Sequence, residues 1–305
     1  VKFIIIGSIL AALALLGFWL WTPDKPRAVL EARYLRSPAD MIDVAGQRLR
    51  VRDDGPKTAP AVLMLHGFGS SLETWEGWAK GLVGEFRVIR FDLPGSGLSP
   101  PDVTGVYTDA RTIDLILALL DQLGIEKTSI IGNSIGGRIA WTFAALHPER
   151  LNKLILVSPD GFASPGFAYG VAPKVPAMLG LMRYVLPRPF LKMNLVPVYA
   201  DPSLLTETTV TRYWELMLAP GARDAMIARM SQTVLVDPEP LLRSIQAPVL
   251  LIWGEKDAAI PFTNSADYMR LLPHARLVPF PNLGHVPQEE APEASLVPVR
   301  AFLEA

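Results

Sequence analysis

The 305-residue chain contains no cysteine and only four histidines. Without cysteine there is no disulfide, no thiolate nucleophile and no cysteine-ligated metal, and a cysteine-free chain suits an oxidising compartment as well as a reducing one. Excess charge is missing too. Lys and Arg number 29 against 30 Asp and Glu, a formal charge of -1. That balance provides no broad electropositive field for phosphates, and the aromatic residues are not interleaved with basic clusters, so nucleic acid is not an expected partner. Internal repeats and low-complexity tracts are also lacking, which speaks against a solenoid or an array.

Half of the residues are hydrophobic, enough to bury one large core, and one globular domain carrying an insertion is expected. The run Phe3 to Trp21 holds no charge and has about the ~20 residues that cross a bilayer as a helix. A cleaved signal peptide wants a shorter apolar region and a small-residue cleavage site, whereas Phe18-Trp19-Leu20-Trp21 leads straight into Thr22-Pro23-Asp24. Residues 1–21 are therefore expected to be a single-span membrane anchor. Lys2 and the amino terminus favour an inside amino end, against Lys25, Arg27, Arg33 and Arg36 on the other flank. The expected placement of the globular domain is periplasmic or otherwise extracytoplasmic. Residues 22–45, bearing prolines and charges without an apolar period, are expected to be a tether.

Beyond them, short aliphatic runs at Ala61–Leu65, Arg87–Phe91, Thr128–Ile131, Lys153–Val157, Val249–Trp253 and Arg276–Phe280 read as strands, most of them buried on both faces. Helical patterns lie between them. One starts at the capping residue Thr108 and stops at Gly124. Such alternation predicts an α/β fold with a mostly parallel central sheet flanked by helices. The alternation breaks over residues 162–243, where prolines recur and no strand pattern appears. Because strands resume afterwards, this stretch is expected to be a helical cap inserted into a core made of residues 46–161 and 244–305.

The segment Gly132-Asn133-Ser134-Ile135-Gly136-Gly137 fits GxSxG between a predicted strand and a predicted helix, the setting that presents a serine nucleophile at a sharp turn. A serine hydroxyl needs a base within hydrogen-bond reach. Of the four histidines, His285 follows the last predicted strand, so its loop falls at the carboxyl edge of the sheet with Ser134. His66 belongs to the loop His66-Gly67-Phe68-Gly69, and His147 and His274 fit a helix end and a surface connection. The third member is a carboxylate that fixes the histidine tautomer. Asp257, just past the strand Val249–Trp253, fits best, with Asp160 and Glu255 as rivals. Asp92 reads as a structural residue pinning its turn. Two amides must face the oxygen that gains charge in acyl transfer, and the backbone N–H groups of Phe68 and Ile135 are assigned to that oxyanion hole.

Together these segments, with Phe91-Asp92-Leu93-Pro94-Gly95-Ser96-Gly97, His147-Pro148-Glu149-Arg150 and Gly284-His285-Val286-Pro287, resemble the α/β-hydrolase superfamily over roughly residues 40–305. Within it the chain looks most like membrane-anchored monoacylglycerol lipases and bacterial esterases or lipases with a helical cap, and next most like meta-cleavage product hydrolases, which cut carbon–carbon bonds. Two departures count against the second group. Those enzymes usually carry tryptophan after the histidine, where this chain has Val286, and an asparagine after the oxyanion glycines, where it has Ser70-Ser71. Ser134 itself argues against haloalkane dehalogenases and epoxide hydrolases, which place aspartate at the elbow.

The resemblance implies a serine hydrolase that cleaves carboxylic esters, lipid-like or small, through an acyl-enzyme on Ser134. Carbon–carbon cleavage is the alternative, and a non-catalytic binding or scaffold protein is the alternative of another class. The scheme requires no metal or organic cofactor. Apolar cap residues including Phe162, Phe167, Met178, Leu179, Leu181, Met182, Phe190, Leu191 and Leu195 are candidates for lining an acyl-chain pocket or for packing the cap.

Overall fold

The computed structural model of the chain describes residues 3, 6, 17, 18, 20–164 and 168–305. Most of the proposed anchor, Phe3 to Trp21, lies outside the described residues, as does Phe167. Among the described residues no helix is long and apolar enough to cross a membrane.

Eight strands build one sheet: β1 (Met41–Val44), β2 (Gln47–Asp54), β3 (Ala61–Leu65), β4 (Arg87–Phe91), β5 (Thr128–Asn133), β6 (Leu151–Val157), β7 (Val249–Gly254) and β8 (Ala275–Phe280). Their spatial order is β1-β2-β4-β3-β5-β6-β7-β8. β1 and β2 are antiparallel to their neighbours, and the strands from β4 onward are mutually parallel. Among the described residues from 21 onward the helices are α1 (Arg27–Tyr34), α2 (Glu76–Leu82), α3 (Asp109–Gln122), α4 (Ile135–Leu146), α5 (Arg188–Leu195), α6 (Glu207–Met217), α7 (Ala222–Gln232), α8 (Glu239–Ser244), α9 (Asn264–Leu271), α10 (Pro287–Glu290) and α11 (Pro292–Glu304).

Every residue of β3, β4, β5 and β7 is buried; β3 and β7 accordingly read as continuous apolar runs and not as alternating ones, whereas β4 carries Arg87 and Arg90. One face of the sheet packs on Ile113 and Ile116 of α3, Ile139 and Phe143 of α4 and Tyr268 of α9. The other packs on Trp78 and Leu82 of α2 and Leu296 and Val299 of α11. Helix α3 begins where Thr108 accepts a hydrogen bond from the Arg111 amide at 3.3 Å, which satisfies one orphan donor of its first turn. Helices α5 to α8 stand between β6 and β7.

Residues 22–45 do not form a tether. The Thr22 amide donates to the Tyr184 carbonyl and the Lys25 amide to that of Leu218, each at 2.7 Å. Lys25, Arg33 and Tyr34 converge on the Glu215 carboxylate of α6, Leu30 is buried, and β1 pairs with β2. The segment thus straps the α5–α8 region to the sheet. Its local pattern conceals this, because the polar partners lie about 190 residues away.

Candidate active site

The site is assembled at the carboxyl ends of β3, β5, β7 and β8. The chain leaves β3 for β4 on one side and returns to β5 on the other, the switch point where open α/β sheets bind ligands. Ser134 sits between β5 and α4 at φ 57°, ψ -123°, a conformation that costs a non-glycine residue of order 1–3 kcal/mol and needs support from its surroundings. Packing supplies that support. A Cβ on Gly132 would lie 2.2 Å from the Gly136 carbonyl, and one on Gly136 2.3 Å from the Leu65 carbonyl, so both positions must be glycine. The Ser134 amide donates to Val157 at 3.1 Å, and its carbonyl accepts from Arg138 and Asp160 at 3.1 and 3.0 Å.

His285 follows β8, and its Nδ1 lies 2.8 Å from Asp257 Oδ2. The other oxygen, Asp257 Oδ1, accepts the amides of Ala259 and Ile260, each at 2.8 Å. The carboxylate is therefore fixed from both sides, and the proton it accepts belongs on Nδ1, which leaves Nε2 free to take one. Asp160 instead pairs with Arg138, which also bonds Asp109, and Glu255 is exposed. Of the three carboxylates weighed, Asp257 is the one hydrogen-bonded to a histidine.

His66 supports the loop after β3. Its Nε2 accepts the Leu93 amide at 3.0 Å, and its Nδ1 lies 2.8 Å from the Gly67 carbonyl, so its proton resides on Nδ1. Burial lowers its pKa, which keeps the ring neutral. The amides of Phe68 and Ile135 donate to no acceptor among the described residues. Both residues line the cavity that holds Ser134, and Ile135 opens α4, where the helix dipole favours negative charge. Asp92 accepts the Leu72 and Leu98 amides at 2.8 Å each and Arg50 Nε at 2.5 Å, pinning its turn. His147 lies beside Glu149 and His274 is exposed.

The cavity at Ser134 has a volume of about 360 Å³ and is lined largely by apolar groups, among them Phe68, Phe162, Met230, Leu235 and Ile260. Of the other apolar residues named for the cap, Met178, Leu181 and Phe190 are exposed, while Leu191 and Leu195 are buried and pack with Val286. A narrower cleft of about 20 Å³ adjoins, sharing Phe68 and Ile135 and lined also by Ser70, Tyr213 and Arg229. Sequence reasoning did not single out Asn133, Arg229 or Glu289. Asn133 stood inside the GxSxG match as a variable position, and the other two declare themselves only through partners distant in the chain. Among the described residues there is no cluster of acidic and histidine side chains arranged to hold a metal ion.

The chain belongs to the α/β hydrolase fold family, whose pattern it matches over residues 60–292. It is 32% identical to a dihydrolipoyllysine-residue acetyltransferase component of an acetoin cleaving system from Pseudomonas putida, over 86% of this chain and 68% of that one. It is 31% identical to a 2-hydroxy-6-oxononadienedioate/2-hydroxy-6-oxononatrienedioate hydrolase from the same organism, over 77% of this chain and 84% of that one. Among solved structures it is similar to the 2-hydroxy-6-oxo-6-phenylhexa-2,4-dienoate hydrolase of Rhodococcus sp. strain RHA1. The TM-score is 0.75 and the identity 24%, over 87% of this chain and 98% of that one, a likeness of fold. The protein is thus a hydrolase of the α/β fold, and the Pseudomonas putida dienedioate hydrolase favours the second of the two resemblances above, the meta-cleavage product hydrolases, over the monoacylglycerol lipases.

Proposed function

We propose that the protein is a serine hydrolase that cleaves a carbon–carbon bond beside a ketone in a dienoate-like substrate, with Ser134 as nucleophile, His285 as base and Asp257 orienting the histidine. This reverses the order of the two readings drawn from the motifs, which put carboxylic esters first. The Pseudomonas putida hydrolase of 2-hydroxy-6-oxo-dienedioates supports it, and one observation carries it. Arg50, Arg52, Arg87, Arg90, Arg138 and Arg223 are buried and each pairs with a carboxylate. Arg229 is equally buried, at 6% exposure, and among the described residues it pairs with none. Its guanidinium donates to the Pro94 carbonyl at 3.1 Å and lies over the Tyr107 ring at 5.3 Å. Burial lowers its pKa to about 10. Asp109 and Asp102 favour its charge from a distance, but a buried cation with no carboxylate in contact is costly, and this one lines the cleft that shares Phe68 and Ile135 with the Ser134 cavity. A substrate carboxylate entering the cleft supplies the contact partner and places the carbonyl at the serine, with the apolar end of the substrate in the larger cavity.

In this scheme Ser134 Oγ attacks the ketone carbon and its proton passes to His285 Nε2. The oxyanion is held by the amides of Phe68 and Ile135, each such donor contributing about 3 kcal/mol. The dienol first tautomerises to its 2-oxo form, its hydroxyl proton moving to the carbon beside the ketone. The carbon–carbon bond then breaks with its electron pair passing into the 2-oxo group, and the dienolate so released takes the proton from His285. Water attacks the acyl group on Ser134, giving its proton to His285, which returns it to Ser134 Oγ. Ester hydrolysis is the second reading, favoured by Val286 and Ser70-Ser71 where meta-cleavage hydrolases usually carry tryptophan and asparagine. Turnover of a 2-hydroxy-6-oxo-hexadienoate is to be measured beside a p-nitrophenyl ester series from acetate to palmitate. A higher kcat/KM on the dienoate is expected, and activity confined to the esters would restore the ester reading.

The apolar run Phe3 to Trp21 supports membrane attachment, and Lys2 on its amino side supports an extracytoplasmic hydrolase domain. Deleting residues 1–21 should release the protein from membranes with activity kept.

A further inference from the structure

The loop that carries His285 is held from outside the sheet. The His285 amide donates to the Val198 carbonyl at 2.9 Å. Glu290 accepts the Gly284 amide on one oxygen at 2.7 Å and the Ala200 amide on the other at 2.8 Å. Val286 packs with Leu191, Leu195, Tyr199 and Tyr213. The segment between β6 and β7 is therefore docked at this edge.

At the centre of that edge is Glu289, whose side chain is 8% exposed. It accepts Arg212 Nη2 at 2.7 Å and the Tyr199 and Tyr213 hydroxyls at 2.9 and 2.7 Å. Burial pushes the Glu289 carboxyl up, but Arg212 and the hydrogen bonds it accepts outweigh that, and it stays below the ordinary carboxylate range. Tyr213 has one hydroxyl proton, and the carboxylate takes it. Toward Ser70, whose Oγ is 3.3 Å away, Tyr213 Oη is then an acceptor and Ser70 the donor. One polar chain thus runs from Ser70, two residues after the Phe68 amide, through Tyr213 to Glu289, four residues after His285.

We propose that Glu289 is a positioning residue for the reaction, its carboxylate setting through Tyr213 and Ser70 the oxyanion loop and through α10 the backbone of His285. The proposal rests on the reading of Ser134 and His285 as nucleophile and base, but not on the substrate. Residues 198–213 thus wall one side of the site, and Phe162 and Leu235 line the cavity at Ser134.

A fluorophosphonate tests this, because it reports the activated serine whatever the natural substrate. Inactivation is to be measured for the wild type, Glu289→Gln and Tyr213→Phe, each normalised to its folded fraction by thermal melting. Tyr213→Phe leaves the buried carboxylate two donors and serves if Glu289→Gln does not fold. The expected result is a first-order inactivation constant lowered about tenfold in Glu289→Gln and severalfold in Tyr213→Phe, as small misplacements of reacting groups cause, with the inhibitor's dissociation constant changed less than twofold. Melting temperatures that fall while the inactivation constants hold at the wild-type value would reduce Glu289 to a structural residue and overturn the proposal. A wild type that takes no label removes the nucleophile reading and the proposal with it.

Discussion

Asn133 Nδ2 donates to the carbonyl of His285 at 3.1 Å and to that of Val157 at 3.0 Å. The residue before Ser134 is thereby tied to the backbone of the histidine proposed to take the serine's proton. The two halves of the site meet through a side-chain amide, across 152 positions of sequence.

Replacing Asn133 by alanine leaves two buried carbonyls without this donor, which costs about 1–3 kcal/mol for an unsatisfied group. The expected outcome is a lower melting temperature together with a fall in kcat of about tenfold or more as His285 drifts. Turnover and thermal melting on the same preparation check both. A variant that melts early but turns over normally would detach Asn133 from the chemistry.

Asp257→Asn should cut turnover by about 10⁴, the size of loss expected when the histidine adopts the wrong tautomer. Asp160→Asn should leave the rate within a few-fold, because Asp160 bonds Arg138 and not His285. The reverse ranking in steady-state assays would transfer the orienting role to Asp160.

Arg229→Met removes the cation lining the cleft beside Phe68 and Ile135. If a substrate carboxylate binds there, KM for a dienoate rises more than about tenfold with a smaller change in kcat, the pattern of lost uniform binding. Competition by simple dicarboxylates should weaken in parallel. Equal KM values in variant and wild type would leave the anionic substrate class without support.

Acid should destabilise the fold. Burial pushes Glu73 and Glu289 up, yet Arg50 beside the first and Arg212 beside the second bring both below their ordinary value near 4.5. A carboxyl with a depressed folded pKa contributes stability above its unfolded pKa and loses it as pH falls through the folded one. Glu290, raised by burial, has the opposite sign. With lowered groups in the majority, melting temperature should decline below about pH 4.5. Glu73→Gln should show a shallower decline than wild type, and an unchanged slope would refute the attribution.

Strands β3, β5, β6 and β7 were legible because a parallel strand buried on both faces is mostly apolar along its length, and Val62, Leu63, Ile130, Ile131 and Leu251 satisfy that locally. β4 and β8 showed only short aliphatic stretches, β4 between the buried Arg87 and Arg90 and β8 without a fully buried residue. The hairpin β1–β2 was not. Arg50 and Arg52 occupy buried positions of β2, which disguises the strand, and they are tolerated there because Asp92, Glu73 and Glu76 reach them from other elements. The strap at residues 22–35 was missed on the same grounds, its partners Glu215 and Arg223 lying far along the chain.

The sequence by itself determined the α/β alternation, the turn at Ser134 and the candidate positions of histidine and acid, since periodicity and turn chemistry are local properties of the chain. Tertiary structure alone decided which carboxylate meets His285, which buried arginine has no carboxylate in contact and what holds the histidine loop. Those are matters of distance between residues tens to hundreds of positions apart, and only the packed sheet and the helices docked on it bring such residues within hydrogen-bond reach.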